Sequence, residues 1–287
     1  MPYFFIAIPM FLFGACMAQT VPTASNNIEE ADTIICISDQ LDSLAHSEVI
    51  VPILVENFED SSFTDHAICS GNCPVVLQED GNSFMRAKLS GKMKVVHRSE
   101  VSFGKSAPLE LNLNYLIYFK VRYLADSAGI FPKGIFMQIH AKKTKTQKTD
   151  PNIVSWQSLV GRVDKGGDSG YWEGEKVDSK RRLNRVDLNQ DTWQECVALV
   201  RLSAESDGVL TVYRNGIKEF DAQGANSAAW MTSQFLKMGI YSAHNSGKKA
   251  KYGQTSMAYR RTDFDDVRIY MVSENEVDQS LETLLGL

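Results

Sequence analysis

Asn114-Tyr115-Leu116-Ile117-Tyr118-Phe119-Lys120-Val121-Arg122-Tyr123 is dense in aromatic and β-branched side chains and holds neither Gly nor Pro. Such a run is a strand signal, because these side chains fit a pleated, half-buried surface. The next run, Gly134-Ile135-Phe136-Met137-Gln138-Ile139-His140, is a strand with polar groups set into it. Alternation puts Ile135, Met137 and Ile139 on one face and Phe136, Gln138 and His140 on the other. An ordinary surface strand carries Lys, Glu or Thr on its wet face; Gln and His side by side mark the floor of a polar groove.

Further outward, Val51–Val55, Ser83–Leu89, Val95–Val101, Ser158–Val163, Phe235–Tyr241 and Arg261–Tyr270 also read as strands. Arg98 and Glu100 fall on one face of theirs, and Gly239 inside another predicts a bulge or a close approach. Glu195–Leu202 and Val209–Tyr213 form a hairpin around Asp207-Gly208, and Asn215-Gly216 starts a two-residue turn of the primed type. Gly166 to Gly170 punctuate, and the basic stretch from there to Asn189 reads as a surface excursion. A short helix is expected over Glu274–Leu285. About ten strands with hairpin signals and hardly any amphipathic helix predict an all-β fold, an antiparallel β-jelly-roll sandwich.

Met1 to Phe13 is apolar but too short to span a bilayer, and Cys16-Met17-Ala18 fits a small-residue cleavage site. The expected organisation is a signal peptide over 1–18, a leader over 19–48, and one sandwich domain over 49–287, in a secreted monomer with no membrane span. Secretion favours disulfides. Cys69-Ser-Gly-Asn-Cys73 encloses turn residues and is the expected local bridge, leaving Cys36 with Cys196 as a second pairing. Glu56, Glu59 and Asp60 on the first strand, with Asp265 and Asp266 on the last, are candidate ligands for a structural Ca²⁺; the core of that set is Glu56, Glu59 and Asp266. No cofactor for catalysis is expected. The formal net charge of −5 argues against nucleic acid as a partner. Lys142, Lys143, Lys145 and Lys148, then Lys180, Arg181, Arg182 and Arg185, then Lys248, Lys249 and Lys251 nevertheless form basic groups suited to an anionic polymer.

Three strands carry unusual polar content: Arg98-Ser99-Glu100-Val101, Gln138-Ile139-His140, and Lys237-Met238-Gly239-Ile240-Tyr241. In that order they resemble the signature of jelly-roll polysaccharide lyases of concanavalin A-like fold. The alginate lyases of this fold carry R-[ST]-E-[LV], Q-[IV]-H and Y-F-K-A-G-x-Y, and the glucuronan lyases and the first type of heparin lyase share the architecture. The likeness runs from about Val51 to Tyr270. It implies an anionic, uronate-containing polysaccharide as substrate. It further implies that Arg98 and Gln138 contact the uronate carboxylate, His140 is a candidate base, and Tyr241 protonates the leaving oxygen. Lys237, Glu100, Lys142 and Lys248 are read as flanking substrate-binding groups. Ser242-Ala243 stand where alginate lyases continue with Asn-Gln, and Gln234 or Phe235 replaces the first aromatic, which favours a glucuronan- or heparin-like polymer over alginate.

The residue types suit the chemistry by themselves. Cleaving a uronate polymer by elimination removes the proton on C5, next to a carboxylate, and expels the oxygen on C4. Gln and Arg can stabilise the charge that builds on that carboxylate without competing for the proton. The base must exchange a proton near working pH; a neutral His fits, as does a tyrosine acidified by nearby cations. Where the C5 proton and C4 oxygen lie on the same side, as in glucuronate, one tyrosine can act as both base and acid and His140 becomes a positioning group. A glycoside hydrolase on this fold would need paired carboxylates on one strand. Glu175-Lys176-Val177-Asp178-Ser179-Lys180 ends in Lys where the second Glu belongs. The remaining alternative is a non-catalytic, lectin-like carbohydrate-binding protein.

Overall fold

The computed structural model describes residues 50–59, 63, 68–71, 73–90, 98–104, 106–127, 134–141, 157–164, 169–174, 182–242 and 259–285. In chain order the strands are β1 (Ile50–Glu56), β2 (Ile68–Gly71), β3 (Val75–Glu79), β4 (Asn82–Ser90), β5 (Arg98–Ser102), β6 (Pro108–Glu110), β7 (Asn114–Ser127) and β8 (Gly134–Ala141). They continue with β9 (Gln157–Val163), β10 (Ser169–Gly174), β11 (Arg182–Asp187), β12 (Trp193–Arg201), β13 (Val209–Arg214), β14 (Ile217–Gln223), β15 (Ser233–Tyr241) and β16 (Tyr259–Val272). A 3₁₀ turn (Glu274–Glu276) leads into helix α1 (Val277–Leu285), where a closing helix was expected.

The first sheet runs β14-β13-β12-β7-β16-β4-β3, with β1 also on β16; the second runs β11-β10-β9-β8-β15-β5-β2, with β6 also on β15. All strand pairs within the sheets are antiparallel, and the two sheets face each other as a sandwich. The strand β7 shows why. Its odd residues Tyr115, Ile117, Phe119, Val121 and Tyr123 enter the core between the sheets, where they meet Met137, Ile139, Leu236 and Met238. Its even residues Leu116 and Tyr118 point the other way, under Leu284 and Leu285 of α1. A strand apolar on both faces needs cover on both, and the helix supplies the second. Tyr118 is buried there, and its hydroxyl is driven well above the usual range by that burial and by the neighbouring Glu195 and Asp266.

Two of the expectations are corrected. Phe136 does not share a face with Gln138 and His140. The β8–β9 register shifts between Ile135 and Met137, so Phe136 is a bulged residue whose ring enters the core, edge-on to Tyr123 (5.1 Å) and Trp172 (5.3 Å). Gly161 on β9 makes this possible, since a Cβ there would lie 2.4 Å from the ring. The stretch read as punctuation and surface excursion contains β10 and β11, the last two strands at one end of the second sheet, whose Gly and Arg content hides their period.

Gly239 and Asn215-Gly216 meet expectation. Gly239 has φ +137 and sits at a register shift in β15, and a Cβ there would lie 2.1 Å from the Ser99 carbonyl oxygen. Asn215 and Gly216 both have positive φ, as a primed hairpin turn requires.

The expected Cys69–Cys73 bridge is not formed. Cys69 and Cys73 are free thiols, Cys69 half-buried against the core and Cys73 exposed beyond the end of β2. Burial pushes the Cys69 thiol up to about 11, with a hydrogen bond to Cys73 adding to the shift. Cys196 is a free, fully buried thiol, and Cys36 lies outside the described residues.

Candidate active site

The second sheet turns Val101, Met137, Ile139, Leu236 and Met238 inward, so the alternate residues of β5, β15 and β8 face out. Directly opposed residues of antiparallel neighbours share a face. Lys237 is opposite Ser102 on one side and Gln138 on the other, Tyr241 is opposite Arg98, Gly239 is opposite Glu100, and Phe235 is opposite His140. The fold thus brings Arg98, Glu100, Gln138, His140, Lys237 and Tyr241 onto one outer surface. Lys142 and Lys248 lie outside the described residues.

Glu100 is the centre of this surface. It is 2% exposed; among the described residues one oxygen accepts a hydrogen bond and the other has only an ion-pair neighbour. Gln138 Nε2 donates to Oε1 at 2.5 Å, and Arg98 Nε lies 3.0 Å from Oε2. Burial raises the Glu100 pKa above the usual carboxylate value, against the opposing pull of Arg98, Lys237 and the Gln138 hydrogen bond. Lys237, 9% exposed, is pushed the opposite way: burial lowers its pKa, Glu100 resists, and Arg98 adds to the lowering. Both groups are strained toward neutrality by the same missing water.

The Arg98 guanidinium stacks 4.3 Å from the centre of the Tyr241 ring, a cation–π contact that fixes both side chains. Lys237 Nζ lies 5.6 Å from the Phe235 ring, and His140 packs against the same ring with centroids 5.5 Å apart. Gln157, absent from the sequence-based site, donates through its Nε2 to Gln138 Oε1 and so fixes which end of the Gln138 amide faces Glu100. Only the β8–β9 register, shifted between Ile139 and His140, puts Gln157 there; no motif marks it.

His140 and Tyr241 lie on opposite sides of the Lys237–Gln138 pair. Tyr241 is level with Ile135, and the path from Ile135 to His140 is on the order of 15 Å along the strand. The two residues do not sit over one point of the floor.

Among the described residues the expected calcium set is not assembled. Glu56 accepts from the Phe58 amide (3.4 Å), Glu59 is exposed, and Asp266 is held by Arg268 Nε (2.6 Å) with Lys120 Nζ at 3.8 Å. Asp60 lies outside the described residues. Among the described residues no group of three or more His, Cys, Asp or Glu is placed to hold a metal ion. Asp265, whose side chain accepts from Asn82 (2.9 Å), is raised to about 6 by burial, with nearby Asp266 reinforcing the shift. Among the described residues no helix is long and apolar enough to cross a membrane.

Among solved structures the chain is similar to an endo-β-1,4-glucuronan lyase from the fungus Trichoderma reesei, with 13% identity and a TM-score of 0.52 over 76% of this chain and 95% of that one. It is also similar to the binding domain of botulinum neurotoxin serotype G (11% identity, TM-score 0.49, 82% of this chain and 51% of that one). The binding domain of botulinum neurotoxin DC gives 8%, 0.48, 81% and 51%. The chain spans about half the length of those two, and at such identities the likeness is one of fold. No curated protein matches the chain. The sequence profile described as polysaccharide lyase matches residues 74–268, which include all six residues gathered on the outer surface. That match covers more than half of the 287 residues and sets the lectin-like alternative aside: the chain belongs to the polysaccharide lyase family.

Proposed function

We propose that this lyase acts on a uronate-containing polysaccharide and breaks the C4–O bond by β-elimination, with Tyr241 as the proton-transferring residue. The observation that carries this reading is the Arg98 guanidinium 4.3 Å over the Tyr241 ring, beside the buried Glu100, Lys237 and Gln138. In the reaction the C5 proton moves to the base, its electron pair becomes the C4=C5 double bond, and the C4–O bond breaks. The departing oxygen takes a proton, and no water is consumed. Arg98, Lys237 and the second N–H of the Gln138 amide are the donors available to the substrate carboxylate as charge builds on it.

The separation of His140 from Tyr241 supports one tyrosine serving both steps. Its phenolic oxygen receives the C5 proton and passes it to the C4 oxygen, which requires both on one side of the sugar, as in glucuronate. His140, against Phe235, then positions a neighbouring unit. The apolar run Met1–Phe13 and the sequence Cys16-Met17-Ala18 support export with removal of residues 1–18; a mature protein beginning elsewhere than Gln19 would refute that cleavage.

Ultraviolet absorbance of the unsaturated product over a panel of uronate polymers tests the activity. Tyr241→Phe removes one oxygen from a half-buried side chain and should lower the rate by about 10²–10⁴-fold or more, with an unchanged circular dichroism spectrum. If the variant keeps most of its activity, the role assigned to Tyr241 is wrong.

A further inference from the structure

We infer that the far half of this floor, strands β9 to β11, is a subsite for an uncharged, hydroxyl-bearing sugar unit, so that the substrate alternates uronate with neutral sugar. The inference rests on the proposed uronate elimination at the Tyr241 end. Tyr171 is directly opposite Arg162 on one side and Arg185 on the other, which places an aromatic ring between two guanidinium groups. It stands three strands from Tyr241, roughly 14 Å across the sheet, within reach of the same oligosaccharide.

The two halves differ in charge. Around Tyr241, Arg98 and Lys237 share a single carboxylate, Glu100, leaving a surplus positive charge for a uronate. In the far half the two guanidinium groups that flank Tyr171 each have their own carboxylate: Arg162 Nε lies 2.5 Å from Glu173 Oε2, and Arg185 lies 3.6 Å from Asp164 Oδ2. Glu173 is 5% exposed and faces the same side as Tyr171's neighbour Arg162. A second uronate here would set its carboxylate against Glu173, and like charges at a desolvated contact reject a ligand. A neutral sugar has hydroxyls that donate and accept together, which a side-by-side guanidinium and carboxylate can match. The half-buried ring of Tyr171 offers the apolar face of the sugar a platform.

The full chain is assayed on homopolyuronates (glucuronan and polymannuronate) and on polymers alternating glucuronate with a neutral N-acetylhexosamine (heparosan and hyaluronan). Product formation is followed by absorbance, and affinity for the same polymers by calorimetry. The alternating polymers should show kcat/KM at least about tenfold higher and bind correspondingly tighter. Tyr171→Ala should raise KM on them roughly tenfold, the effect of an aromatic contact, and change kcat little, while Tyr171→Phe stays near wild type. Glu173→Gln should narrow the preference. Tighter binding of the alternating polymers without any unsaturated product would sink the elimination reading and leave this subsite standing. Homopolyuronates bound and cleaved as well as the alternating polymers, or a folded Tyr171→Ala with unchanged KM and affinity, would overturn it.

Discussion

Glu100→Gln is the sharpest perturbation of the site, because it changes one oxygen to a nitrogen in a side chain that is 2% exposed, hydrogen-bonded by Gln138 at one oxygen and ion-paired with Arg98 at the other. A carboxylate offers two acceptors; an amide offers one acceptor and one donor. If the new amide oxygen takes the Gln138 hydrogen bond, its NH₂ faces the Arg98 guanidinium, donor against donor. If it faces Arg98 instead, Gln138 and Gln157 must both turn their amides. Losing a charge-assisted bond costs about 1.5–3 kcal/mol, and removing the desolvated charge offsets part of that. A net loss of about 1–2 kcal/mol should lower Tm by roughly 2–8 °C for a domain of this size.

The pH dependence gives a second readout with a definite sign. A carboxyl whose folded pKa is raised binds its proton more tightly in the native state, so stability falls as pH rises from its unfolded value of 4.5 toward the folded one. Wild type carries that slope and the variant lacks it. Lys237 also loses the carboxylate that resists its deprotonation, so the alkaline limb of the activity profile should move to lower pH. Thermal unfolding and initial rates measured from about pH 4.5 to 9 supply both curves. Identical melting temperatures and superimposable pH profiles for the two proteins would show that Glu100 does not organise Arg98, Gln138 and Lys237.

His140→Ala should reduce the rate only several-fold while raising KM, and near-abolition would reinstate His140 as the base. Gly239→Ala forces a Cβ to 2.1 Å from the Ser99 carbonyl oxygen at φ +137, so it should cost more than about 4 kcal/mol and yield little folded protein; normal expression and Tm would contradict the bulge. Asp265→Asn should flatten the loss of stability that wild type shows as pH rises from 3.8 through about 6, a slope readable from melting temperatures. Phe136→Ala should cost about 3–5 kcal/mol by emptying the space between Tyr123 and Trp172, read as a shift in denaturant midpoint at constant slope.

The fold class was legible in the sequence because strand period and turn chemistry are local. The aromatic run around Tyr118 and the Asn215-Gly216 turn state their conformations without reference to anything distant. The polar residues of the site were legible for a related reason. Arg98, Gln138, His140, Lys237 and Tyr241 stand in strands whose alternation leaves them on the wet face.

Three things waited for the tertiary structure. Phe136 broke its alternation because Gly161, twenty-five residues along the chain, left room for its ring. Strands β10 and β11 were hidden because the inward positions of β10 are Gly170, Trp172 and Gly174, with the two glycines fitted to Leu188 and Phe220 rather than to a local hydrophobic pattern. Glu100, Gln138 and Gln157 became one chain of hydrogen bonds only through the registers of β5, β15, β8 and β9. Backbone period is written residue by residue, whereas register, bulges and the charge that a buried group feels depend on which strands lie side by side.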